Sequence, residues 1–290
     1  MADHEILVYL QAERARRPDL AETLALHIAM IEARCNSQIQ NPNSQPDVQE
    51  PYARLERGAP VMNVDELTLD WEPFAHLFQT LCYIAGRFRV EQQNAFDEIA
   101  SWAQPPARLE PLVREYLRST RHPSLAAMHT PPTPDAAGDT RFAIRDSRYA
   151  SLAAFILNNA LHPFLAEYAR VWQPVLDTAA WYRAYCPICG GASDFAALEK
   201  ESGARRLLCA RCDQEWAFHR STCPFCGEDA PGKLGYFPSA DGAYRLYTCE
   251  TCKRYIKTID LRELAREVNL PAERVLTIGM DVAAREAGYG

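Results

Sequence analysis

The sequence predicts an α+β protein, with an N-terminal all-α domain followed by two small four-cysteine modules and a short C-terminal helix. Three observations support this fold class. Most of the helical spacing of apolar residues falls within the first 180 residues, and all four CxxC pairs lie beyond them. All sixteen basic residues before residue 181 are Arg, whereas all four Lys follow it. A chain of 290 residues is long enough for two domains, so we place a domain boundary near residue 180.

Composition and charge exclude several classes of protein. Hydrophobic residues make up 48% and charged residues 24% of the chain, which is typical of globular rather than disordered proteins. The net charge of −7 argues against a broad nucleic-acid surface. No stretch approaches ~18–20 consecutive apolar residues, so no membrane span is expected. The N-terminus has neither the basic nor the apolar region of a secretory signal, and we expect a cytoplasmic protein.

Amphipathic spacing predicts the helices of the first domain. The clearest helix begins after Pro18, and its apolar residues are Leu20, Leu24, Ile28, Ile31, Cys35 and Ile39. Similar patterns cover 72–88, 91–103, 109–120 and 147–182. Two segments rich in Pro and Gly, 41–60 and 121–140, are predicted to be loops. We therefore expect five or six helices, with Pro163 and Pro174 kinking or dividing the last one.

The remainder of the chain is expected to form short strands. Strand-like runs at 206–208, 215–218 and 244–247 are separated by turns that contain cysteine and glycine. Beyond Thr258, the spacing of Leu261, Leu264, Ala265 and Val268 predicts a closing helix that ends near residues 269–271. The predicted domains are a helical domain at 1–180, a first four-cysteine module at 181–220, and a second module with the C-terminal helix at 221–290.

Eight of the ten cysteines form four CxxC motifs. They are Cys186, Cys189, Cys209, Cys212, Cys223, Cys226, Cys249 and Cys252. Two intervening residues allow a tight turn to aim both sulfurs at one ion, and a following glycine permits the positive φ of such a knuckle. Gly190 and Gly227 provide this glycine after the first and third motifs.

The spacing of the motifs suggests how they pair. Joining the first knuckle with the second and the third with the fourth leaves intervals of 19 and 22 residues, close to the template for four-thiolate metal sites. A cross-braced arrangement needs only the ten residues between Cys212 and Cys223, and spacing alone leaves it open.

Four thiolates in tetrahedral geometry accept either zinc or iron, so the sequence predicts two mononuclear metal sites without selecting the metal. Zinc would make the modules structural, whereas iron could exchange one electron. Disulfides are disfavoured in a chain without a secretory signal, and a thioredoxin-like redox motif would need only one CxxC. The spacing also differs from that of ferredoxin clusters.

Other chemically active residues are expected to be structural. Cys35 and Cys82 lie on apolar helix faces and are predicted to be buried thiols. His219 lies between two knuckles, but eight thiolates already complete two sites. Trp181, Tyr182 and Trp216 are expected to pack around the cysteines. Because no phosphate loop and no GxSxG motif is present, no catalytic residue is predicted.

The order of motifs between residues 148 and 290 resembles the formate dehydrogenase accessory protein FdhE family. The residues that carry the likeness are His162-Pro163-Phe164-Leu165, Tyr185-Cys186-Pro187-Ile188-Cys189-Gly190, Leu208-Cys209, Cys212, Glu215-Trp216, Arg220, Cys223-Pro224-Phe225-Cys226, Tyr247-Thr248-Cys249, Cys252 and 255–260. Before residue 148 only helical character agrees.

This resemblance implies a cytoplasmic accessory factor that binds the molybdenum- or tungsten-containing catalytic subunit of formate dehydrogenase and is not itself an enzyme. It also implies a helical domain joined to two rubredoxin-like metal folds, with the eight cysteines of the four motifs as ligands and iron as the favoured metal. The second knuckle of each pair lacks the Pro-x-Cys-Gly form usual in rubredoxin, so zinc stays open at either site.

Two other functions remain alternatives. One is a small electron carrier of the rubredoxin type. The other is a zinc-ribbon module that binds nucleic acid or protein, although residues 181–260 carry 11 basic and 10 acidic side chains and offer little attraction for nucleic acid.

Overall fold

The computed structural model describes residues 2–37, 49–120, 122, 149–175, 177–178 and 180–290. These residues form two compact units. The helical unit contains 2–37, 62–120 and 149–171, and the sheet unit contains 49–61, 122, 172–175, 177–178 and 180–290. The predicted order of a helical region, two four-cysteine clusters in β-structure and a C-terminal helix is confirmed.

The helical unit is built from six helices among the described residues. They are α1 (Ala2–Arg16), α2 (Ala21–Asn36), α4 (Trp71–Phe88), α5 (Gln93–Ser101), α6 (Leu109–Ser119) and α7 (Ala150–Trp172, whose last residue belongs to the sheet unit). Helix α4 buries Phe74, Phe78 and Leu81 completely at spacings of three and four, as its sequence predicts. None of the described helices is long and apolar enough to cross a membrane.

A buried polar network joins α1, α2 and α7. Arg34 is 8% exposed, and its Nε donates to Asp3 Oδ2 over 3.1 Å while its Nη1 donates to Asn159 Oδ1 over 3.3 Å. Because Arg34 takes the inward position in the last turn of α2, its neighbour Cys35 is exposed. The expectation of a buried Cys35 is therefore wrong, whereas Cys82 is buried as expected.

Proline acts differently from the expectation in two places. Helix α3 (Gln49–Glu56) lies inside the predicted loop at 41–60, because Pro51 falls in its first turn, where no intrahelical donor is needed. Residues 41–48 of this loop, and all of the predicted loop at 121–140 except His122, lie outside the described residues. Helix α7 continues through Pro163, and Pro174 lies in the 3-10 turn Gln173–Val175 that follows.

One six-stranded sheet contains both four-cysteine segments. Its strands are β1 (Ser193–Leu198), β2 (Arg205–Cys209), β3 (Glu215–Phe218), β4 (Leu234–Pro238), β5 (Tyr244–Cys249) and β6 (Tyr255–Asp260), in the order β3-β2-β1-β6-β5-β4. Each half repeats a hairpin followed by a third strand. The halves join through a parallel pair, in which Phe195 lies opposite Lys257 and Ala197 opposite Ile259.

The C-terminal helices lie further along the chain than predicted. Strand β6 extends to Asp260, whose side chain accepts from the Arg262 N–H and caps a single 3-10 turn, Leu261–Glu263. The side chain of Asn269 then caps α8 (Leu270–Leu276), and α9 (Ile278–Glu286) follows. The Asn269-Leu270-Pro271 sequence therefore starts a helix instead of ending one, as an N-cap with proline in the first turn does.

Candidate metal centre

All four CxxC motifs form the same backbone turn. In each, the N–H of the first cysteine donates to the carbonyl oxygen five residues further along the chain. The pairs are Cys186 to Gly191 at 2.9 Å, Cys209 to Gln214 at 2.9 Å, Cys223 to Glu228 at 2.8 Å and Cys249 to Arg254 at 3.0 Å. This turn places the two sulfurs of a motif side by side, as a shared ion requires.

The residue after each motif has a positive φ. Gly190 and Gly227 have φ of 71° and 77°, as the sequence predicts. Asp213 and Lys253 occupy the same position in the other two knuckles, with φ of 56° and 55°. A glycine is therefore not required there, and this left-handed turn was not expected from the sequence in the second and fourth knuckles.

The first cluster contains the cysteines of the first and second knuckles. The first knuckle precedes β1, and the second joins β2 to β3. The Sγ atoms are 3.6 Å apart between Cys186 and Cys212, and 3.4 Å apart between Cys189 and Cys209. All four side chains are at most 2% exposed. The cluster is therefore shielded from solvent on every side.

Gly191 leaves room for the sulfurs of the first cluster. A Cβ atom at this position would lie 3.2 Å from Cys209 Sγ and 3.3 Å from Cys189 Sγ, which is closer than ordinary van der Waals contact. It would also lie 3.1 Å from Cδ of Arg211, a buried side chain. The absence of a side chain at residue 191 is therefore a packing requirement of the cluster.

The second cluster contains the cysteines of the third and fourth knuckles. The Sγ atoms are 3.8 Å apart between Cys223 and Cys252, and 3.7 Å apart between Cys226 and Cys249. Cys223 and Cys249 are buried, whereas Cys226 is exposed and Cys252 is intermediate. The second cluster thus reaches solvent, unlike the first.

Both clusters have the donor set and dimensions of a tetrahedral metal site. The four Sγ atoms of each lie within 4.8 Å of one another. Metal–sulfur bonds of about 2.3 Å in tetrahedral geometry place the sulfurs about 3.8 Å apart, close to the separations in the second cluster and a few tenths above those in the first. Four thiolates fit zinc or iron equally well.

The structure pairs the knuckles in sequence order and does not form the cross-braced alternative. All ten cysteines are free, and the Sγ–Sγ distances of 3.4–3.8 Å within the clusters far exceed a disulfide bond of about 2.05 Å. Each cluster could therefore hold one ion.

The pKa shifts of the cysteines differ in direction within each cluster. Burial raises the pKa values of Cys186 and Cys212, whereas hydrogen bonds from the neighbouring thiols lower the pKa of Cys189. In the second cluster, burial raises the pKa of Cys223. Burial acts in the same direction on Cys249, but hydrogen bonds from backbone N–H groups of Cys252 and Thr251 leave its pKa lowered. Metal binding displaces protons from thiols, so the lowered pKa values of Cys189 and Cys249 favour it.

His122 contacts one knuckle of each cluster and was not singled out from the sequence. It is 1% exposed; its backbone N–H donates to the Gly190 carbonyl over 3.3 Å, and its Nε2 lies 2.8 Å from the Pro224 carbonyl oxygen. Burial lowers its pKa, which favours the neutral ring with the proton on Nε2. No sequence motif marks this residue, because its partners are backbone atoms distant in sequence.

Arg274 of α8 supports the second knuckle. Its Nη2 donates to the Cys209 carbonyl and to Asp213 Oδ1, both over 2.9 Å, and its Nε lies 3.1 Å from Asp194 Oδ1. These contacts hold Asp213 in its left-handed conformation and link α8 to the first cluster. The sequence pattern predicted that the C-terminal helix ends near residues 269–271, so it did not indicate a helical Arg274 beside the second knuckle.

The remaining candidates lie outside the clusters. His219 is exposed, and its ring stacks on Tyr182 with centroids 5.0 Å apart. Trp181 and Trp216 are buried, and their indole N–H groups donate to the carbonyls of Tyr185 and Arg183. Burial raises the pKa of Cys82 to about 12, which keeps this thiol protonated. Cys82 is therefore a buried thiol, as expected, whereas Tyr182 is half exposed and stacks on His219, unlike the packing around the cysteines that was expected of it.

Comparison with known proteins supports the resemblance seen in the motifs. The chain is 26% identical over 274 residues to a protein named Protein FdhE homolog from Aquifex aeolicus (strain VF5), a match that covers 93% of this chain and 83% of the relative. A protein of the same name from Pseudomonas aeruginosa (strain PAO1) is 27% identical over 213 residues, covering 64% of this chain and 68% of the relative. No protein-family model matches the chain.

The fold also matches a solved structure. The crystal structure of the FdhE protein from Pseudomonas aeruginosa aligns with a TM-score of 0.56 at 20% identity, over 100% of this chain and 92% of that chain. The expected resemblance is therefore confirmed over a longer part of the chain than the motifs alone covered.

Proposed function

We propose that this chain belongs to the FdhE family. As a member, it would be an accessory factor for formate dehydrogenase and not itself an enzyme. In this proposal it acts in the cytoplasm and binds the catalytic subunit while that subunit matures. The observation that carries the proposal is the pair of four-cysteine clusters, set in the fold of an FdhE protein.

The proposal includes two metal ions for each chain. Cys186, Cys189, Cys209 and Cys212 would hold one ion, and Cys223, Cys226, Cys249 and Cys252 the other. We favour iron from the family resemblance and keep zinc as the alternative at either site. Iron between four thiolates would supply one-electron exchange between its ferric and ferrous states, whereas zinc would supply only a fixed tetrahedral support.

In this proposal the two clusters have different roles. The closed first cluster is suited to stabilising the sheet, because water and partners cannot reach its buried sulfurs. The exposed Cys226 makes the second cluster the one that could respond to a bound partner. We therefore propose that the catalytic subunit docks on the four-cysteine modules, and we retain the division at residues 1–180, 181–220 and 221–290 as part of the proposal.

The experiment uses a host strain that lacks its own FdhE. The wild-type chain should restore formate dehydrogenase activity and should co-purify with the catalytic subunit. The double variant Cys249→Ser/Cys252→Ser should lower activity without lowering the amount of catalytic subunit. Cys35→Ser is the matched control, because it removes an exposed thiol outside both clusters.

Two results would count against the proposal. Full activity with a folded Cys249→Ser/Cys252→Ser variant would exclude an electron role for the second cluster but would leave a docking scaffold. A wild-type chain that neither restores activity nor co-purifies with the catalytic subunit would contradict the accessory function itself.

A rubredoxin-like electron carrier is the second candidate. The exposed Cys226 and half-exposed Cys252 favour it, because electron transfer requires a metal near the surface. Reversible cycling of bound iron with a physiological donor, without binding to the catalytic subunit, would support the carrier instead of the accessory factor.

A further inference from the structure

Among the described residues, a buried arginine next to the second cluster has no acidic partner. Arg205, the first residue of β2, is 3% exposed. Its Nη1 donates to the carbonyls of Thr222 and His219 over 3.3 and 3.5 Å, and its guanidinium lies 4.5 Å from the centre of the Tyr247 ring. Within the described residues, no carboxylate pairs with it and its Nε has no hydrogen-bond partner. Two other arginines of the sheet unit, Arg274 and Arg245, are ion-paired with aspartates.

An unpaired buried cation is costly, so its position needs an explanation. Burial lowers the pKa of Arg205 to about 10, which shows how poorly this environment solvates the charge. Carbonyl oxygens and an aromatic face compensate for the lost solvation only in part. A negative charge close to the guanidinium would remove the cost.

The second cluster lies beside Arg205 and is a source of such a charge. Arg205, Cys223 and Cys249 line the same small cavity, together with Tyr247 and Arg254. The guanidinium of Arg254 lies 4.0 Å from the centre of the Phe225 ring. Four thiolates carry more negative charge than a divalent ion neutralises, so an occupied cluster is an anion. Beside the first cluster, Asp194 and Asp213 balance the charge of Arg274.

We propose that Arg205 is the counter-charge of the metal–thiolate centre at the second cluster, and that it sets how tightly this cluster holds its ion. Arg205 is a positioning residue, because it acts on the metal through the thiolates and not by ligation. This inference rests on the metal-binding part of the proposed function.

The test measures zinc affinity of the full chain at each cluster. Zinc-loaded protein is titrated with a chelating dye, and the step that disappears in Cys226→Ser/Cys252→Ser is assigned to the second cluster. Arg205→Met should raise the zinc dissociation constant of that step about tenfold and leave the first-cluster step unchanged. Arg205→Lys, which keeps the charge, should stay within about threefold of the wild type.

The neighbouring residue Arg206 provides the control for this test. Arg206→Met is the matched control, because the Arg206 side chain is half-exposed and pairs with Glu199 and Glu215.

If Arg205→Met also loses the first-cluster step, Arg205→Gln replaces it as a variant that keeps a donor for the carbonyls. An unchanged second step in the uncharged variant, or an equal loss in Arg205→Lys, overturns the proposal. A wild-type chain that binds fewer than two zinc ions contradicts the metal-binding function and this proposal together.

Discussion

Four single residues decide the shape of the knuckles. The residue after each CxxC motif has a φ between 55° and 77°, a conformation that costs glycine nothing and other residues roughly 1–2 kcal/mol. Asp213 is held there by Arg274, whereas the Lys253 side chain forms an exposed ion pair with Glu250 and contacts the Tyr289 ring. The same conformation is therefore supported by strong contacts in one knuckle and weak contacts in the other.

Replacing these two residues with glycine should have opposite effects. Lys253→Gly should raise the free energy of unfolding of the metal-loaded protein by about 0.5–1 kcal/mol, because relief of backbone strain exceeds the value of an exposed ion pair. Asp213→Gly should lower it by about 1–3 kcal/mol, because the half-buried Arg274 loses a charged acceptor. Denaturant unfolding of both variants measures the difference, and a change of the same sign in both would contradict this explanation.

Gly191 should tolerate no larger side chain. A Cβ at this position crowds Cys189 and Cys209 Sγ, so Gly191→Ala should weaken metal binding at the first cluster and destabilise the loaded protein by about 1–3 kcal/mol. Gly279→Ala is the control, because nothing lies within 4 Å of a Cβ there and the residue is in α9, where alanine favours the helix. Equal stability of Gly191→Ala and wild type in denaturant unfolding would exclude the packing role.

At the scale of elements, local sequence patterns predicted the helices and hairpins, which form through contacts between residues close in sequence. The apolar spacing in α2, α4 and α6 located those helices, and the CxxC motifs located the hairpins. Helix α1 was missed, because its apolar residues run consecutively from Ile6 to Leu10 and do not follow one face. The parallel pairing of β1 with β6, which joins the two modules into one sheet, depends on long-range contacts that carry no local signal.

His122 contacts one knuckle of each cluster, so its substitution should lower the stability of the protein. His122→Ala removes the side-chain contact with the Pro224 carbonyl, so the loaded protein should lose about 1–3 kcal/mol of stability. His219→Ala, at an exposed stacked ring, should cost less than about 1 kcal/mol. Thermal unfolding of the two variants compares them, and equal losses would show that the buried contact has no special role.

The contribution of His122 should also depend on pH. Its pKa is lower in the folded protein than in the unfolded chain, so the unfolded state binds more protons as the pH falls through about 6.5. The stability advantage of the wild type over His122→Ala should therefore be largest above pH ~7 and should shrink by up to about 1.4 kcal/mol per pH unit below that pKa. An advantage that grows on acidification would contradict the assignment of a neutral ring.

At the scale of the whole molecule, two units with different sources of stability make up the described chain. The helical unit has an extensive apolar core of its own, with Phe74, Phe78 and Phe96 fully buried. In the sheet unit, Phe195, Ala197, Leu208 and Ile259 form one core cluster, and the same unit contains both cysteine clusters. We expect bound metal to contribute to the stability of this unit, because four-thiolate sites supply folding energy.

Metal removal should therefore affect the two units differently. Treatment of the reduced protein with a strong chelator should abolish hydrogen-exchange protection in β1 to β6 and leave most of the protection in α4. Added zinc should restore the strands. Loss of protection in α4 and the sheet together would show that the metal sites stabilise both units, and retained protection in the strands would show that they stabilise neither.

The measurement that tests the central claim most directly is the metal content of the full chain, purified without oxygen, together with its visible absorption spectrum. The account predicts two metal ions per chain. With iron favoured at both clusters, it also predicts thiolate-to-iron charge-transfer bands; two zinc ions in a colourless protein would leave the clusters as structural supports. A reduced, folded chain that contains no stoichiometric metal would contradict the central claim.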